Sequence, residues 1–264
     1  MLGLRKPSVK TEKTAKVRGR AAMRRGKGCS AAGCHAAELV AGMDKAYLKE
    51  LAAMETRPRV LTAAKLLFWR YGYASVSVDD ICAVAKVQKG SFYHFFESKG
   101  DLLVAAMEDD WQRKGEDLDR VFSPRLTPLE QLRGFVAKML RDQAQLRARC
   151  GRVVGAGYAT IGSEMGLQES AAAAKVGGAC TTMSCRMGLY LTRLVAEAQR
   201  LGMVAHAESP EDVAKRMGMC MLGALLHARM FNDLGVLEKD LPVMLAPFIG
   251  VDAAALREGL KDVD

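Results

Sequence analysis

Apolar residues recur at helical spacing along most of the chain from residue 56 onwards. In 56–72, Val60, Ala64, Leu67 and Tyr71 lie three or four residues apart and therefore share one helix face. The same spacing returns in about 127–149, 168–201 and 210–234, and shorter helical segments follow at 238–248 and 252–260. Long β-branched runs are absent. The pattern predicts an all-α protein.

Two short helices are predicted after the first. Ser77-Val78-Asp79-Asp80 fits the S-x-x-[DE] capping box, in which the serine oxygen and the carboxylate satisfy amides at a helix start. A helix of about eight residues should begin there, turn Ile81, Val84 and Ala85 inward, and stop near Lys86-Val87. A third helix should follow from Gln88 or Lys89.

The stretch FYHFF concentrates aromatic residues in a chain with 6% of them. On a helical wheel the stretch separates into two faces. Phe92, Phe95 and Phe96 are expected in the core, because they lie at i, i+3 and i+4. The opposite face carries Lys89, Gly90, Ser91, Tyr93 and His94.

Two short helices joined by a tight turn, the second polar on its free side, predict a helix-turn-helix unit. The second helix would enter the major groove by its amino-terminal end. Lys89 and Ser91 can reach base edges or phosphates, and Tyr93 and His94 can donate to phosphate oxygens. Ser98 can cap a fourth helix, which would place Lys99 beside another phosphate.

The segment from Thr56 to about Leu103 resembles the DNA-binding domain of the tetracycline-repressor (TetR) family. The matching residues are YGYASVSVDDICAVAKV and KGSFYHFFESKGDLL, closest to the branch with KGSFYHYF recognition helices. The resemblance implies DNA contacts by Lys99 and by the recognition-helix residues Gln88, Lys89, Gly90, Ser91, Tyr93 and His94. We add Arg57 and Ser77 to these candidate DNA-binding residues. Lys86 replaces the usual turn glycine, and Gln88 replaces the usual small N-cap and could be a weak cap or a base reader.

The larger half, 103–264, resembles the family's helical effector-binding and dimerisation domain. CGRVVGAGYATIG is similar to a segment of one branch that includes electrophile sensors, but Arg152 stands where that branch has its cysteine. Cys150 lies nearby among arginines, which favour the thiolate. It is either such a thiolate or an inert cysteine at a helix end.

An effector pocket is expected among the helices of 101–201, and dimer contacts beyond it. The candidate ligand-binding residues are Trp111, Met139, Cys150, Tyr158, Met165, Met183 and Met187. Most of the methionines could equally be core residues. By resemblance, the helices near 210–234 and 238–249 would pair with their copies in a homodimer, although an intramolecular core would explain them too.

Charge is concentrated at the amino terminus. Residues 1–30 carry ten basic residues and one acid, which equals the net charge of +9 of the whole chain. We expect 1–50 to be a disordered basic extension, followed by a DNA-binding domain over 51–102. The extension is either an arm attracted to phosphates or a translated upstream segment with Met43 or Met54 as the working start. It also resembles an organelle transit peptide.

The sequence gives little support for disulfides, a metal site, catalysis or a membrane span. Seven cysteines without a secretory signal fit reduced thiols in a cytoplasmic protein. The Cys29/Cys34 and Cys180/Cys185 pairs lack matching His/Cys pairs at zinc-site spacing, so no metal is expected. No phosphate-binding loop, nucleophile elbow or paired-acid motif is present, so we expect neither catalytic residues nor a cofactor. No apolar stretch is long enough to span a membrane.

These patterns predict a ligand-responsive transcriptional regulator. It would most simply be a repressor that binds a near-palindromic double-stranded DNA operator as a dimer and is released by a small effector. The alternative is an architectural or cell-division factor on the same fold that uses no small effector.

Overall fold

The computed structural model describes residues 37–205, 207–258 and 260. Expectations for residues 1–36, including Cys29 and Cys34, and for His206 lie outside this part. The described secondary structure is helical throughout, without a strand, as predicted. The α-helices are α1 Lys45–Ala53, α2 Thr56–Tyr71, α3 Val78–Ala85, α4 Lys89–Phe95, α5 Lys99–Val121, α6 Pro128–Cys150, α7 Gly157–Met165, α8 Ala171–Arg200, α9 Pro210–Phe231, α10 Leu241–Leu245 and α11 Ala253–Arg257.

The chain is already folded ahead of the first expected helix. Asp44 caps α1 by accepting a hydrogen bond from the amide of Ala46, and Leu51 of this helix is buried. Met43 is buried as well. The expectation of disorder through residue 50 is therefore wrong for residues 37–50. These apolar side chains pack on the core of the following helices, which outweighs the low-complexity character of the preceding sequence.

Helices α2, α3 and α4 form a compact unit around buried aromatic rings. Phe68 of α2 and Phe92 of α4 are almost fully buried, together with Phe96 just after α4. The rings of Phe92 and Phe96 lie 5.8 Å apart, centroid to centroid. The apolar face predicted for these short helices thus supplies the core that holds them together.

The remaining helices form two connected cores. The first joins α2, α3 and α4 to α7 and the start of α8 through Ile161, Met165 and Val176. The second lies among the end of α5 and α6, α8, α9 and α10. Because α5 runs unbroken from the first core into the second, it links the two ends of the molecule.

The end of the chain is less regular than predicted. The expected single helix over 238–248 is a π-helical turn at Val236–Asp240, then α10, then a 3₁₀ turn at Ala246–Ile249. Pro242 and Pro247 lack an amide hydrogen, so the α-helical ladder cannot continue through this stretch. Ahead of it, α9 ends at Asn232 in a left-handed conformation.

Candidate functional site

The capping box predicted at Ser77 positions the turn before the recognition helix. The Ser77 hydroxyl accepts from the Asp80 amide at 3.1 Å, and the Asp80 carboxylate accepts from the Ser77 amide at 2.8 Å. Lys86 ends α3 in the left-handed region, with φ of 53°. The amide of Val87 then donates to the carbonyl of Cys82 at 3.0 Å. The turn is therefore built without the glycine that the family pattern has there.

Helix α4 presents an exposed polar face. Gln88, Lys89, Gly90, Tyr93 and His94 are all exposed, and Tyr93 is 54% exposed. A Cβ added to Gly90 would meet no described atom within 4 Å. This face is therefore open to close approach by a large partner. That these residues contact DNA stays a prediction.

An ion pair connects the two helices of the motif. The Lys89 ammonium lies 2.8 Å from a carboxylate oxygen of Asp79 on α3, and both side chains are mostly exposed. The hydrogen bond from Lys89 raises the pKa of its ammonium, so Lys89 stays cationic at neutral pH. Gln88 makes no side-chain capping bond with α4, which leaves base reading open to it.

The other candidate DNA contacts have structural roles of their own. The Lys99 ammonium donates to the carbonyls of Tyr73 and Val76 at 2.9 and 2.8 Å, and it lies over the Tyr73 ring. Burial lowers the pKa of Lys99. This differs from the solvated phosphate contact expected for it. Arg57 is exposed and lies over the Phe96 ring at 5.7 Å, whereas Ser91 is half-buried.

One core assignment for α4 is wrong. Phe95 is 38% exposed and meets the edge of the His94 ring, while Phe92 and Phe96 are buried as expected. The α4 helix ends at Phe95, and Phe96 already has extended backbone. Phe95 is therefore the last residue of the helix and is only partly covered, whereas Phe96 reaches the core from the extended segment that follows.

A cavity of about 1220 Å³ lies among the helices that follow the DNA-binding unit. Its wall is largely apolar, and it takes residues from α2 and from α5 to α9. Six of the seven candidate ligand-binding residues line it, namely Trp111, Met139, Tyr158, Met165, Met183 and Met187. Ligand contact by these residues stays a prediction, although the structure brings them together.

The seventh candidate, Cys150, does not line the cavity. It is buried at the end of α6, and burial raises the pKa of its thiol to about 11 despite the opposing charges of Arg70 and Arg149. Burial therefore favours the inert-cysteine alternative for Cys150. Desolvation of the charged form outweighs the arginines here.

A charged cluster forms part of the cavity wall. Asp110 of α5 accepts from the Lys65 ammonium at 2.7 Å, from Arg113 at 3.0 Å and from the Tyr158 hydroxyl at 2.6 Å. Burial by itself would raise the pKa of Asp110, but the nearby lysines and these hydrogen bonds outweigh it and hold the pKa below its ordinary value. Burial and the Asp110 charge raise the pKa of Tyr158 well above its ordinary value.

The DNA-binding unit contributes directly to this cluster. Lys65 lies on α2 and is 5% exposed, and Trp69, one turn further along, lines the cavity. Trp69 meets the edge of the Tyr158 ring, with 6.4 Å between centroids. Gly157 lets the two come close, because a Cβ there would lie 2.7 Å from the Trp69 ring.

Lys65, Trp69 and Asp110 were not among the sequence-based candidates. A signal for Lys65 does exist, since it is the single charge in the otherwise uncharged run VLTAAKLLF. A lysine buried in such a helix needs a carboxylate partner. Which acid it would meet could not be read from the sequence, because Asp110 is 45 residues away.

The described ranges hold neither a candidate metal cluster nor a helix that could span a membrane. No group of three or more His, Cys, Asp or Glu residues there is arranged to hold a metal ion. None of the helices in this part combines the length and apolar character needed to cross a membrane.

Residues 60–106 match the family model described as bacterial regulatory proteins, tetR family. The transcriptional regulator AcuR of Cereibacter sphaeroides is 33% identical over 160 residues, which cover 60% of this chain and 69% of AcuR. The HTH-type transcriptional repressor KstR of Mycolicibacterium smegmatis is 31% identical over 102 residues, which cover 39% of this chain and 50% of KstR. These relatives are named regulators and not enzymes.

Solved structures agree with the fold. The regulatory protein TetR from Rhodobacter sphaeroides superposes with a TM-score of 0.60 at 27% identity, covering 74% of this chain and 98% of that one. Reduced NemR from E. coli gives a TM-score of 0.61 at 19% identity over 75% and 97% of the chains, which concerns the fold alone. The matched helix-turn-helix, the extent of the likeness to AcuR and the shared helical architecture lead to one conclusion: this chain belongs to the tetR family of bacterial regulatory proteins and is a DNA-binding transcriptional regulator.

Proposed function

We propose that the protein is a homodimeric repressor that binds a near-palindromic operator and is released by a small molecule bound in the cavity. The observation that carries this proposal is the contact between the two regions. Trp69 of α2, the first helix of the DNA-binding unit, lines the cavity, and Lys65 of the same helix pairs with Asp110 of the cavity wall. A ligand there would touch the element that positions α3 and α4.

The recognition helix would read DNA through its exposed amino-terminal face. Helix α4 enters the major groove with the side chains of Lys89, Tyr93 and His94 facing the DNA. Gly90, which has no side chain, allows the helix backbone to approach the DNA closely. On binding, a phosphate or a base would replace Asp79 as the partner of Lys89. The proposed contact set also includes Arg57, Ser77, Gln88 and Ser91. Lys99 holds the loop before α3 in place through its hydrogen bonds to the carbonyls of Tyr73 and Val76.

Dimerisation is supported by an exposed apolar surface, here called the α9 stripe. The stripe consists of Met219, Leu222, Leu226 and Met230. These four residues, and Val243 and Met244 of α10, are 41–68% exposed. Residues spaced by three or four share one helix face. An exposed apolar face of this kind indicates a contact with another protein. The same face of a second subunit would cover it in a two-fold symmetric dimer.

Release would follow from coupling between the cavity and α2. A ligand that displaces the Tyr158 hydroxyl or the Trp69 ring also changes the surroundings of the Lys65–Asp110 pair. Movement of α2 would change the separation of the two recognition helices, which must match about 34 Å, one turn of DNA. Such coupling is reciprocal: the operator would weaken ligand binding by the same factor.

The effector-free alternative predicts a core without a pocket. A cavity of about 1220 Å³ with a mainly apolar wall favours the ligand-responsive proposal instead. The relative KstR is named a repressor, which supports repression over activation here.

Selection of genomic fragments by the purified full-length protein tests the proposal. Fragments recovered at physiological salt should share an inverted repeat whose half-sites lie about one helical turn apart. The repeat should lie near few genes. Recovery of many dispersed fragments without a shared repeat would instead favour an architectural factor.

Replacement of Lys89 by Gln should weaken operator binding and reduce its salt dependence. Each phosphate contact that is lost lowers the slope of log K against log salt by about 0.9. Fluorescence anisotropy with a labelled operator at several salt concentrations measures this slope. Arg125→Gln, at an exposed position between α5 and α6, is the matched control. An unchanged slope for Lys89→Gln would exclude a phosphate contact by Lys89.

A further inference from the structure

We propose that the cavity binds an elongated apolar molecule with a single anionic group, in chemical class a medium-chain carboxylic acid, and that Lys114 receives the carboxylate. This inference rests on the proposed function, because such an acid would be the effector. It goes beyond that function by naming the chemistry of the ligand and the side chain that selects it.

The residues that line the cavity are suited to an apolar ligand. One face of α5 contributes Met107, Trp111 and Leu118, at spacings of four and seven residues. Met139, Met183 and Met187 lie on the facing helices α6 and α8. Flexible methionines and aromatic rings adapt to an alkyl or aryl chain and bury it from water.

Charge at one end of the cavity is unbalanced. The same face of α5 carries Asp110 and Lys114, one turn apart, and both line the cavity. Asp110 is already matched by Lys65 and Arg113, and Asp109 accepts from the same two cations. Two carboxylates therefore face three cations when Lys114 is included, which leaves one positive charge.

Lys114 is the cation without a direct partner. It takes part in no hydrogen bond or ion pair with the described residues, and it acts on Asp110 only through its charge. All of the contacts that Asp110 makes at hydrogen-bond distance go to Lys65, Arg113 and Tyr158. A carboxylate from a ligand would give Lys114 the charge-assisted hydrogen bond that the protein does not supply.

The other charged residues of the wall lie at exposed positions. Glu211 and Lys215 are four residues apart at the start of α9, where their opposite charges offset each other, and Glu169 precedes α8. Water and salt screen exposed charges of this kind. They therefore oppose an anion at Lys114 only weakly.

The protein carries its own probe of occupancy. Its two tryptophans, Trp69 and Trp111, both line the cavity. Titration of the full-length protein with octanoate, 1-octanol or octylamine, followed by tryptophan fluorescence, compares three head groups on one alkyl chain. Octanoate should bind about tenfold more tightly than octanol, the size expected for one hydrogen bond to a charged group. Octylamine should bind most weakly.

Two variants assign the preference to a residue. Lys114→Met keeps the length and apolar character of the side chain, and it should reduce the octanoate preference over octanol to less than about threefold. Lys215→Met removes the other lysine of the wall and should retain the preference. Equal binding of all three compounds by the wild type would overturn the proposal, and so would loss of the preference in Lys215→Met alone.

Operator binding in the same samples separates this inference from the proposed function. Octanoate should release the labelled operator from the wild type, and should do so at about tenfold higher concentration for Lys114→Met. Selective octanoate binding without release would support the anion site and contradict the release function. Release by octanol or octylamine in preference to octanoate would support the release function and overturn the anion site.

Discussion

At the scale of single residues, the charged cluster of Lys65 and Asp110 is the feature that connects the two parts of the chain. Lys65 and Asp110 have side chains only 6% and 9% exposed, so their charges are tolerated because they neutralise each other. A buried pair of this kind adds little net stability compared with apolar residues, but the loss of one partner is costly. The pair thus fixes the position of α2 against α5.

Replacement of Lys65 by Met should destabilise the protein by about 3 kcal/mol, the lower end of the range for breaking a buried ion pair, because Asp110 keeps Arg113 and Tyr158. Urea denaturation measures the loss. The double variant Lys65→Met with Asp110→Leu should recover part of it. Lys175→Met, which breaks an exposed pair with Asp101, should leave the urea midpoint unchanged. A midpoint equally unaffected by Lys65→Met would rule out the buried pair.

Cysteine reactivity offers a second prediction at this scale. Burial raises the pKa of the Cys150 thiol to about 11, so at pH 7.5 it is almost entirely the unreactive thiol form. Cys185 is exposed. Iodoacetamide labelling followed by mass spectrometry should modify Cys185 well before Cys150. Faster labelling of Cys150 would mean that its thiolate is stabilised after all.

At the scale of helices, stability depends on local capping, which the sequence predicts. Thr127 and Glu130 cap α6 reciprocally, with the Thr127 amide donating to the carboxylate at 2.7 Å. The Thr127 amide and hydroxyl hold the pKa of Glu130 below its ordinary value. Helix α6 supplies part of the cavity wall through Phe135 and Met139, so its start is tied to the shape of the site.

Thr127→Ala should lower the free energy of unfolding by roughly 0.5–2 kcal/mol, because the amide of Glu130 loses its acceptor. Thermal melting followed by circular dichroism measures the change. Thr182→Ala is the matched control, since Thr182 lies exposed inside α8 and bonds only to the carbonyl of Gly178. Equal melting temperatures for the wild type and both variants would contradict the assignment of Thr127 as the cap.

At the scale of the whole molecule, the proposed dimer makes the operator contact possible. A single recognition helix contacts one half-site, and two copies on a fixed spacing bind both. The α9 stripe supplies apolar surface for that contact, together with the exposed Val243 and Met244 of α10, a helix that packs against α9.

Leu226→Glu should convert the dimer to a monomer and abolish tight operator binding. A glutamate at the centre of the stripe would bury an unpaired charge against its own copy. Analytical ultracentrifugation gives the mass, and anisotropy the operator affinity. Leu189→Glu changes a leucine of α8 outside the stripe that is 60% exposed, against 47% for Leu226, and should leave both unchanged. A monomeric wild type would contradict the dimer.

The recognition unit could be predicted almost completely from the sequence. Ser77 and Asp80 cap α3, Lys86 adopts the left-handed conformation, and Phe92 and Phe96 are buried. The cap and the turn depend on residues at most four positions apart, so local spacing and capping chemistry determine them. Burial was predicted less well, since Phe95 at the same helical spacing is 38% exposed. Six of the seven candidate ligand-binding residues line the cavity. They were chosen from the resemblance to the family together with their apolar or aromatic character, and most of the cavity wall was not predicted.

By itself, then, the sequence determined the helices, their caps and the recognition face. Tertiary structure alone decided that residues 37–50 pack on the core, that Cys150 is buried, and that Lys65 meets Asp110. Each of these depends on contacts between helices far apart in the chain. Burial and ion pairing depend on which distant surfaces meet, and periodicity within one helix shows which face is apolar but not what covers it.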